Sequence, residues 1–274
     1  MVIPDDEDPL AAYLRQQVEA VFAAAPGIPD ARAVHHTRVA VRRLRSTLRV
    51  FGPMLTLSPD DAAALDDELR WYGGLLGEVR DRQVQRTRFT AALAALPPED
   101  VLGPVAARIE GVLHPEQLHA EEEIAQATPS ERCLRLRHLL GTWRHHPPVA
   151  EVDTQALRKR ARKAAKKAER RLAETCRDGS DVDLHRARKA AKRARYAGEL
   201  LEPLGHGKKQ RKRYKQVQVL LGDHQDAVIA ATILRRLVSD VPAGESAFTF
   251  GLLLAGERAE ADRLRREACR LVDG

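Results

Sequence analysis

Apolar residues recur at intervals of three and four along almost the whole of this 274-residue chain, and strict apolar–polar alternation is nearly absent. That periodicity limits the chain to helices packed on helices. Breakers cut it into pieces of helix length at Pro26-Gly27, Gly52-Pro53, Pro97-Pro98, Pro147-Pro148, Asp178-Gly179 and from Pro203 to Gly207. Start signals agree with the breaks. Asp30 precedes a helix expected over 31–51. Ser58-Pro59 with Asp61 opens one over 59–76, combining an N-cap, a first-turn proline and a capping acid. Ser180 with Asp183 repeats the pattern before 181–201. The expected architecture is all-α, with about ten or eleven helices joined by short connections in bundles. Aromatic residues make up only 4% of the chain, so Leu, Val and Ala must form most of the core.

The chain also repeats itself. His35-His36-Thr37-Arg38-Val39-Ala40-Val41-Arg42-Arg43-Leu44-Arg45 returns as His185-Arg186-Ala187-Arg188-Lys189-Ala190-Ala191-Lys192-Arg193-Ala194-Arg195. Leu75-Leu76-Gly77-Glu78-Val79-Arg80-Asp81 returns as Leu220-Leu221-Gly222-Asp223-His224-Gln225-Asp226. Two motifs recurring in the same order imply duplication of a whole multi-helix unit. Its boundary is expected near Pro147-Pro148, giving an N-terminal bundle over 1–147 and a C-terminal bundle over 148–274.

Each His/Arg helix has two seams. Val34, Thr37, Val41, Leu44, Leu48 and Phe51 form a packing stripe; His35, Arg38, Arg42, Arg45 and Arg49 form a basic stripe rotated about 100° from it. In the second copy Leu184, Ala187, Ala191, Ala194, Gly198 and Leu201 are the packing seam, small enough for close approach to a neighbour. His185, Arg188, Lys192 and Arg195 are the basic one, with Lys189 beside it. Like charges stacked at these spacings repel by a few tenths of a kcal/mol per pair. Segment 34–51 contains no acid to relieve them. Two resolutions stay open: acids of another helix, such as Asp60, Asp61, Asp66, Asp67 and Glu68, or a bound polyanion.

Charge distribution favours a polyanion. Residues 155–215 hold 22 Lys/Arg and 7 Asp/Glu, a charge of +15 in a chain whose total is +7. A basic tract within an otherwise acidic protein is a located electrostatic feature. A linear phosphate polymer suits a row of guanidiniums, which grip successive phosphates through charge-assisted hydrogen bonds. Two such rows facing each other across a groove would enclose one chain. Lys208, Lys212 and Lys215, at the start of a helix after the Gly205–Gly207 turn, are further candidate contacts. The very basic helix beginning at Leu157 has cations around most of its circumference, which suits long-range steering.

The ordered motifs His35–Phe51, Leu75–Asp81, Leu184–Tyr196 and Leu220–Asp226 together resemble the CHAD domain, across nearly the whole chain. The resemblance implies two helical bundles related by a pseudo-two-fold axis around a basic central groove or pore that binds inorganic polyphosphate. It carries over His35, Arg38, Arg42, Arg45, His185, Arg188, Lys192 and Arg195 as phosphate contacts. Two positions break the internal symmetry: Arg80 is matched by Gln225, and Arg49 by Glu199. Many members of the family carry a triphosphate-tunnel domain marked by an ExExK run. The nearest match here, Glu121-Glu122-Glu123-Ile124-Ala125, lacks the lysine, so a stand-alone member is expected.

Other chemistry has little support. No nucleophile elbow, P-loop or paired metal-binding carboxylate motif is found, so a non-enzymatic protein without cofactor or metal is expected. His224 and Asp226 lie two apart and point to different faces of a helix; Gly222-Asp223 reads as the cap that starts it, and Asp81 as orienting an arginine. Three scattered cysteines, Cys133, Cys176 and Cys269, suggest neither a disulfide framework nor a zinc site. The acidic N-terminus MVIPDDEDPL has no apolar core of a signal peptide. A cytoplasmic location without membrane contact follows, with polyphosphate granules or polyphosphate-metabolising enzymes as further associates. The competing readings are a nucleic-acid-binding protein, since a basic groove attracts any phosphate backbone, and a polyphosphate-processing enzyme.

Overall fold

A computed structural model of the chain describes residues 8–151 and 153–273; the N-terminal stretch read above as lacking a signal peptide lies mostly outside them, in residues 1–7. Among the described residues there are nine α-helices and no strand: α1 (Pro9–Ala24), α2 (Ala31–Phe51), α3 (Pro59–Ala94), α4 (Val105–Ala127), α5 (Glu131–Thr142), α6 (Thr154–Asp178), α7 (Asp181–Leu201), α8 (Lys208–Ser239) and α9 (Phe248–Asp273). None of these is long and apolar enough to cross a membrane.

Capping chemistry sets most of the starts. Asp30 accepts from the amides of Arg32 and Ala33 at the head of α2, and Ser58 caps α3 with Pro59 in its first turn. Ser180 and Asp183 close a full capping box on α7. α2 and α7 therefore have the bounds expected from sequence. Two expectations fail. α3 does not stop at 76 but runs on for 36 residues to Ala94. Gly222-Asp223 caps nothing, because α8 runs unbroken from Lys208 to Ser239. In both cases a glycine inside a helix was read as an end. Gly77 and Gly222 are buried helix-interior positions, each facing an arginine of a neighbouring helix.

Successive helices pack against one another within the groups α1–α4 and α6–α9, and α2 lies against α7 between them. The largest apolar cluster joins α1, α2, α3 and α5 to Leu157 and Ala161 of α6 and to Ala197, Leu200 and Leu201 of α7. A second joins Phe89 of α3 and Ile109 and Leu113 of α4 to Leu234 of α8 and Phe250 of α9. Both draw on residues from each side of position 147, so the two halves do not fold around separate cores. Only the cluster of Leu172, Leu184, Tyr214 and Leu221 is confined to the second half. The small seam of α7 permits the expected close approach. A Cβ on Gly198 would lie 3.0 Å from the carbonyl oxygen of Gly207, and Gly207 itself takes φ +82°, open to glycine at little cost.

The cysteine reading needs correction. Cys176 near the end of α6 and Cys269 near the end of α9 form a disulfide, with Cα atoms 5.5 Å apart. They are 93 residues apart in sequence, so spacing gave no sign that these helix ends meet. Cys133 is a free, buried thiol. Trp143 is in the core, whereas Trp71 is only partly buried, with the Arg132 guanidinium 4.1 Å above its ring.

Candidate polyanion-binding site

α2 and α7 meet along their basic sides. Between them and α3 lies a cavity of about 430 Å³ lined by cations of all three helices: Arg38, Arg42, Arg45 and Arg49 from α2, Arg70 from α3, and Lys189, Lys192 and Arg193 from α7. Val41 and Ser46 of α2, Gly73 and Gly74 of α3 and Tyr196 of α7 complete the wall.

The internal repeat has a physical meaning here. Arg38 lies across Gly77 so closely that a Cβ there would overlap its terminal nitrogen. Four residues on, one turn of α3, Asp81 accepts the ion pair from Arg38 at 3.2 Å. In the second half Arg188 lies over Gly222, 3.6 Å from where a Cβ would be. Asp226, again one turn on, is its strongest favourable electrostatic partner. At 77 the glycine leaves out the side chain that would block Arg38, and Asp81 orients that arginine; at 222 a Cβ would make only ordinary contact, and Asp226 attracts Arg188 from beyond bridging distance. Asp81 thus has the role expected from sequence. Gln85 also donates to the Asp226 carbonyl at 3.1 Å, tying α3 to α8.

Acids answer part of the stripe. Asp66 is shared by Arg45 and Arg49, at 3.2 and 2.7 Å. Burial alone would push its carboxyl up, but hydrogen bonds from both arginines outweigh this and hold it below the usual range. Of the other acids weighed for this role, Asp67 pairs with Arg70 of the cavity wall, whereas Asp61 bonds Ser58, Glu68 pairs with Arg132, and Asp60 is exposed. Among the described residues no carboxylate lies within 4.0 Å of Arg42, Arg188, Lys189, Lys192 or Arg193. Arg188 also has a buried Nε without a hydrogen-bond partner. Loss of solvent, with Arg42, Arg188 and Arg38 close by, pushes the Lys192 ammonium down to about 5. Burial and like charges also lower Arg193 and Lys189. Interior cations without counter-charge are costly unless a ligand neutralises them.

The remaining candidates are not all brought together. His35 and His185 stand at the N-terminal end of the cluster, outside the cavity lining; both are held below the usual histidine range, chiefly by burial and then by neighbouring cations. His185 also meets the Gln225 side chain at 3.2 Å, at the position where His35 instead faces the charge of Arg80. The other symmetry break, Glu199, pairs with Arg43 at 2.6 Å. Arg195 is absent from the cavity. It donates to Gln218 at 3.0 Å and lies 5.6 Å from the Tyr196 ring centre. At about 100° per residue, Arg195 sits roughly 80° around α7 from His185 on one side, and Arg193 roughly 80° on the other. The cavity opens on the Arg193 side. Lys208, Lys212 and Lys215 are exposed on α8 and do not line this cavity. Their helix packs through Tyr214, Val217 and Leu221, which leaves these lysines on the solvent side. His224 is buried near Asp181, at 3.8 Å, and makes no pair with Asp226.

Sequence reasoning missed Arg193 and Arg70. Arg193 was visible as the internal match of Arg43 and as the residue four beyond Lys189. Arg70 had no such signal, because nothing in the sequence places the first half of α3 beside α7.

Comparison with known proteins agrees with this architecture. Over 271 residues the chain is 33% identical to an uncharacterised protein of Mycobacterium tuberculosis, found in two strains; the match covers 95% of this chain and 52% of the relative. The chain therefore spans about half the length of these curated relatives. Among solved structures, PptA from Streptomyces chartreusis superposes with a TM-score of 0.80 at 23% identity, covering 97% of this chain and 98% of that one. The CHAD domain from the plant Ricinus communis gives a TM-score of 0.72 at 27% identity, with coverage of 98% and 94%. The family model of the CHAD domain matches residues 12–235. The chain thus belongs to the CHAD domain family, which is linked in general to polyphosphate binding.

Proposed function

We propose that this protein binds inorganic polyphosphate, without turning it over, in the basic cavity between α2, α3 and α7. One observation carries the reading. Two helices of matching sequence bring Arg42, Lys192 and Arg193 together in the cavity wall, with Arg188 close by outside the lining, all partly buried and with no carboxylate in bridging distance among the described residues. A polymer of phosphates supplies the missing negative charge at several points at once. Arginine grips it with paired hydrogen bonds, and lysine adds a compact charge. Asp66 and Asp81 hold Arg45, Arg49 and Arg38 in place beforehand, which lowers the ordering entropy lost on binding. Granules and polyphosphate-metabolising enzymes are the partners that this activity would serve.

A competition experiment tests the reading against general affinity for phosphate backbones. Labelled long-chain polyphosphate bound to the protein is challenged with duplex DNA and RNA at equal phosphate concentration, at about 0.15 M salt. Retention of polyphosphate is the expected result. Displacement by either duplex would establish a nucleic-acid-binding protein instead, and hydrolysis of polyphosphate by pure protein with magnesium or manganese would contradict binding without turnover.

A further inference from the structure

Beside the first cavity lies a second, of about 200 Å³, between α2, α6 and α7. Its charged lining is Arg49, Arg160, Lys163, Lys167 and Arg193, with Val50, Ala164 and Ala190 as its apolar part. Among the described residues no carboxylate lines it. Arg49 and Arg193 line both cavities, so a pair of guanidiniums joins the two spaces. On α6 the residues 160, 163 and 167 are spaced three and four apart and form one stripe. Lys159 and Lys166 of the same helix are exposed and do not line the cavity. The α6 helix therefore does more than spread positive charge. One of its faces is built into a wall, against small alanines that let α7 come close.

We infer that the second cavity is a distal subsite, into which a polyphosphate chain continues over Arg49 and Arg193 after filling the first. This rests on the polyphosphate reading above. The first cavity alone receives a short oligomer. A long chain gains the contacts of Arg160, Lys163 and Lys167 as well, so the protein prefers long chains to short ones by direct contact on α6. Like-charge crowding is consistent with an anion here: Arg171 and then burial and Arg193 lower the Lys167 ammonium.

The test compares two ligands, tripolyphosphate and long-chain polyphosphate, on three full-length proteins at about 0.15 M salt. These are the wild type, Lys163→Gln/Lys167→Gln in the cavity wall, and Lys159→Gln/Lys166→Gln on the exposed side of the same helix. Both double variants lose the same charge from exposed lysines, so folding and overall field are matched, and helicity confirms the fold. The wall variant is expected to lose at least about tenfold in long-chain affinity, with tripolyphosphate affinity and the exposed-side variant little changed. Equal losses for both ligands, or for both variants, would show α6 acting by its field alone and would overturn the subsite. So would unchanged long-chain affinity in the wall variant. Failure of the wild type to bind either ligand would instead overturn the polyphosphate reading, and the subsite with it.

Discussion

Exchanging the central lysine for methionine, Lys192→Met, separates its part in binding from its part in folding. The ammonium titrates near 5 in the folded protein against 10.5 in a model compound. Between those values the unfolded chain carries a proton that the folded chain has lost, so the stability associated with this group rises with pH and falls as pH drops through the window. At pH 7 the residue lies about 3.5 pH units below its unfolded value. At about 1.36 kcal/mol per unit that sets a ceiling of roughly 5 kcal/mol on the penalty. The side chain is only partly buried, and retained hydration brings the expected figure to ~1–3 kcal/mol. Methionine keeps the packing of the stem without the charge. The variant should therefore be more stable than wild type in urea unfolding at pH 7, by ~1–3 kcal/mol, with the difference shrinking above about pH 9. It should bind polyphosphate more weakly. Equal or lower stability at pH 7, or a gain that does not change with pH, would refute the argument that this lysine is held in an uncompensated cationic cluster.

Because Lys192, His35 and His185 are all held below their usual ranges, an arriving anion that raises them takes up protons. Affinity for polyphosphate should rise as pH falls from about 8 to 6, and calorimetry in buffers of different ionisation enthalpy should show net proton uptake; none would contradict the pairing of these groups with phosphate. Gly77→Ala places a methyl where the Arg38 guanidinium lies, so it should weaken binding with the fold kept. Gly222→Ala meets only ordinary contact at 3.6 Å and should add up to about 1 kcal/mol of stability from helix propensity, readable by thermal melts. Cys176→Ser/Cys269→Ser opens a link spanning 93 residues; loop entropy puts the loss at no more than about 4–5 kcal/mol. Denaturant midpoints should fall, and the same fall should follow from treating wild type with a thiol reductant.

Local signals were the legible ones. α2 and α7 could be bounded to the residue because Asp30, Ser180 and Asp183 cap them and breakers follow, Gly52-Pro53 after α2 and Pro203 to Gly207 after α7. The basic stripes could be seen because three-and-four spacing is a property of a single helix. Gly77 and Gly222 misled: a glycine inside a helix normally marks a weakness, and at 77 it is an arginine from a neighbouring helix that requires it. What depends on rotation was legible only in part. The sequence spacing treats Arg195 as equivalent to Arg45, yet the cavity lies on the other flank of α7, where Arg193 stands. What depends on long-range meeting was not legible. The Cys176–Cys269 link, Arg70 in the cavity wall and the stripe of Arg160, Lys163 and Lys167 beside Arg49 all arise from contacts between distant segments.

The most direct measurement is the titration of long-chain polyphosphate into Arg42→Glu/Lys192→Glu beside wild type, with circular dichroism recorded on both. These two residues occupy equivalent places in the two copies of the motif and face each other across the α2–α7 contact. The account predicts saturable binding by wild type and none by the variant, with helicity retained. Undiminished affinity in a folded variant would show that the phosphate polymer does not enter between α2 and α7.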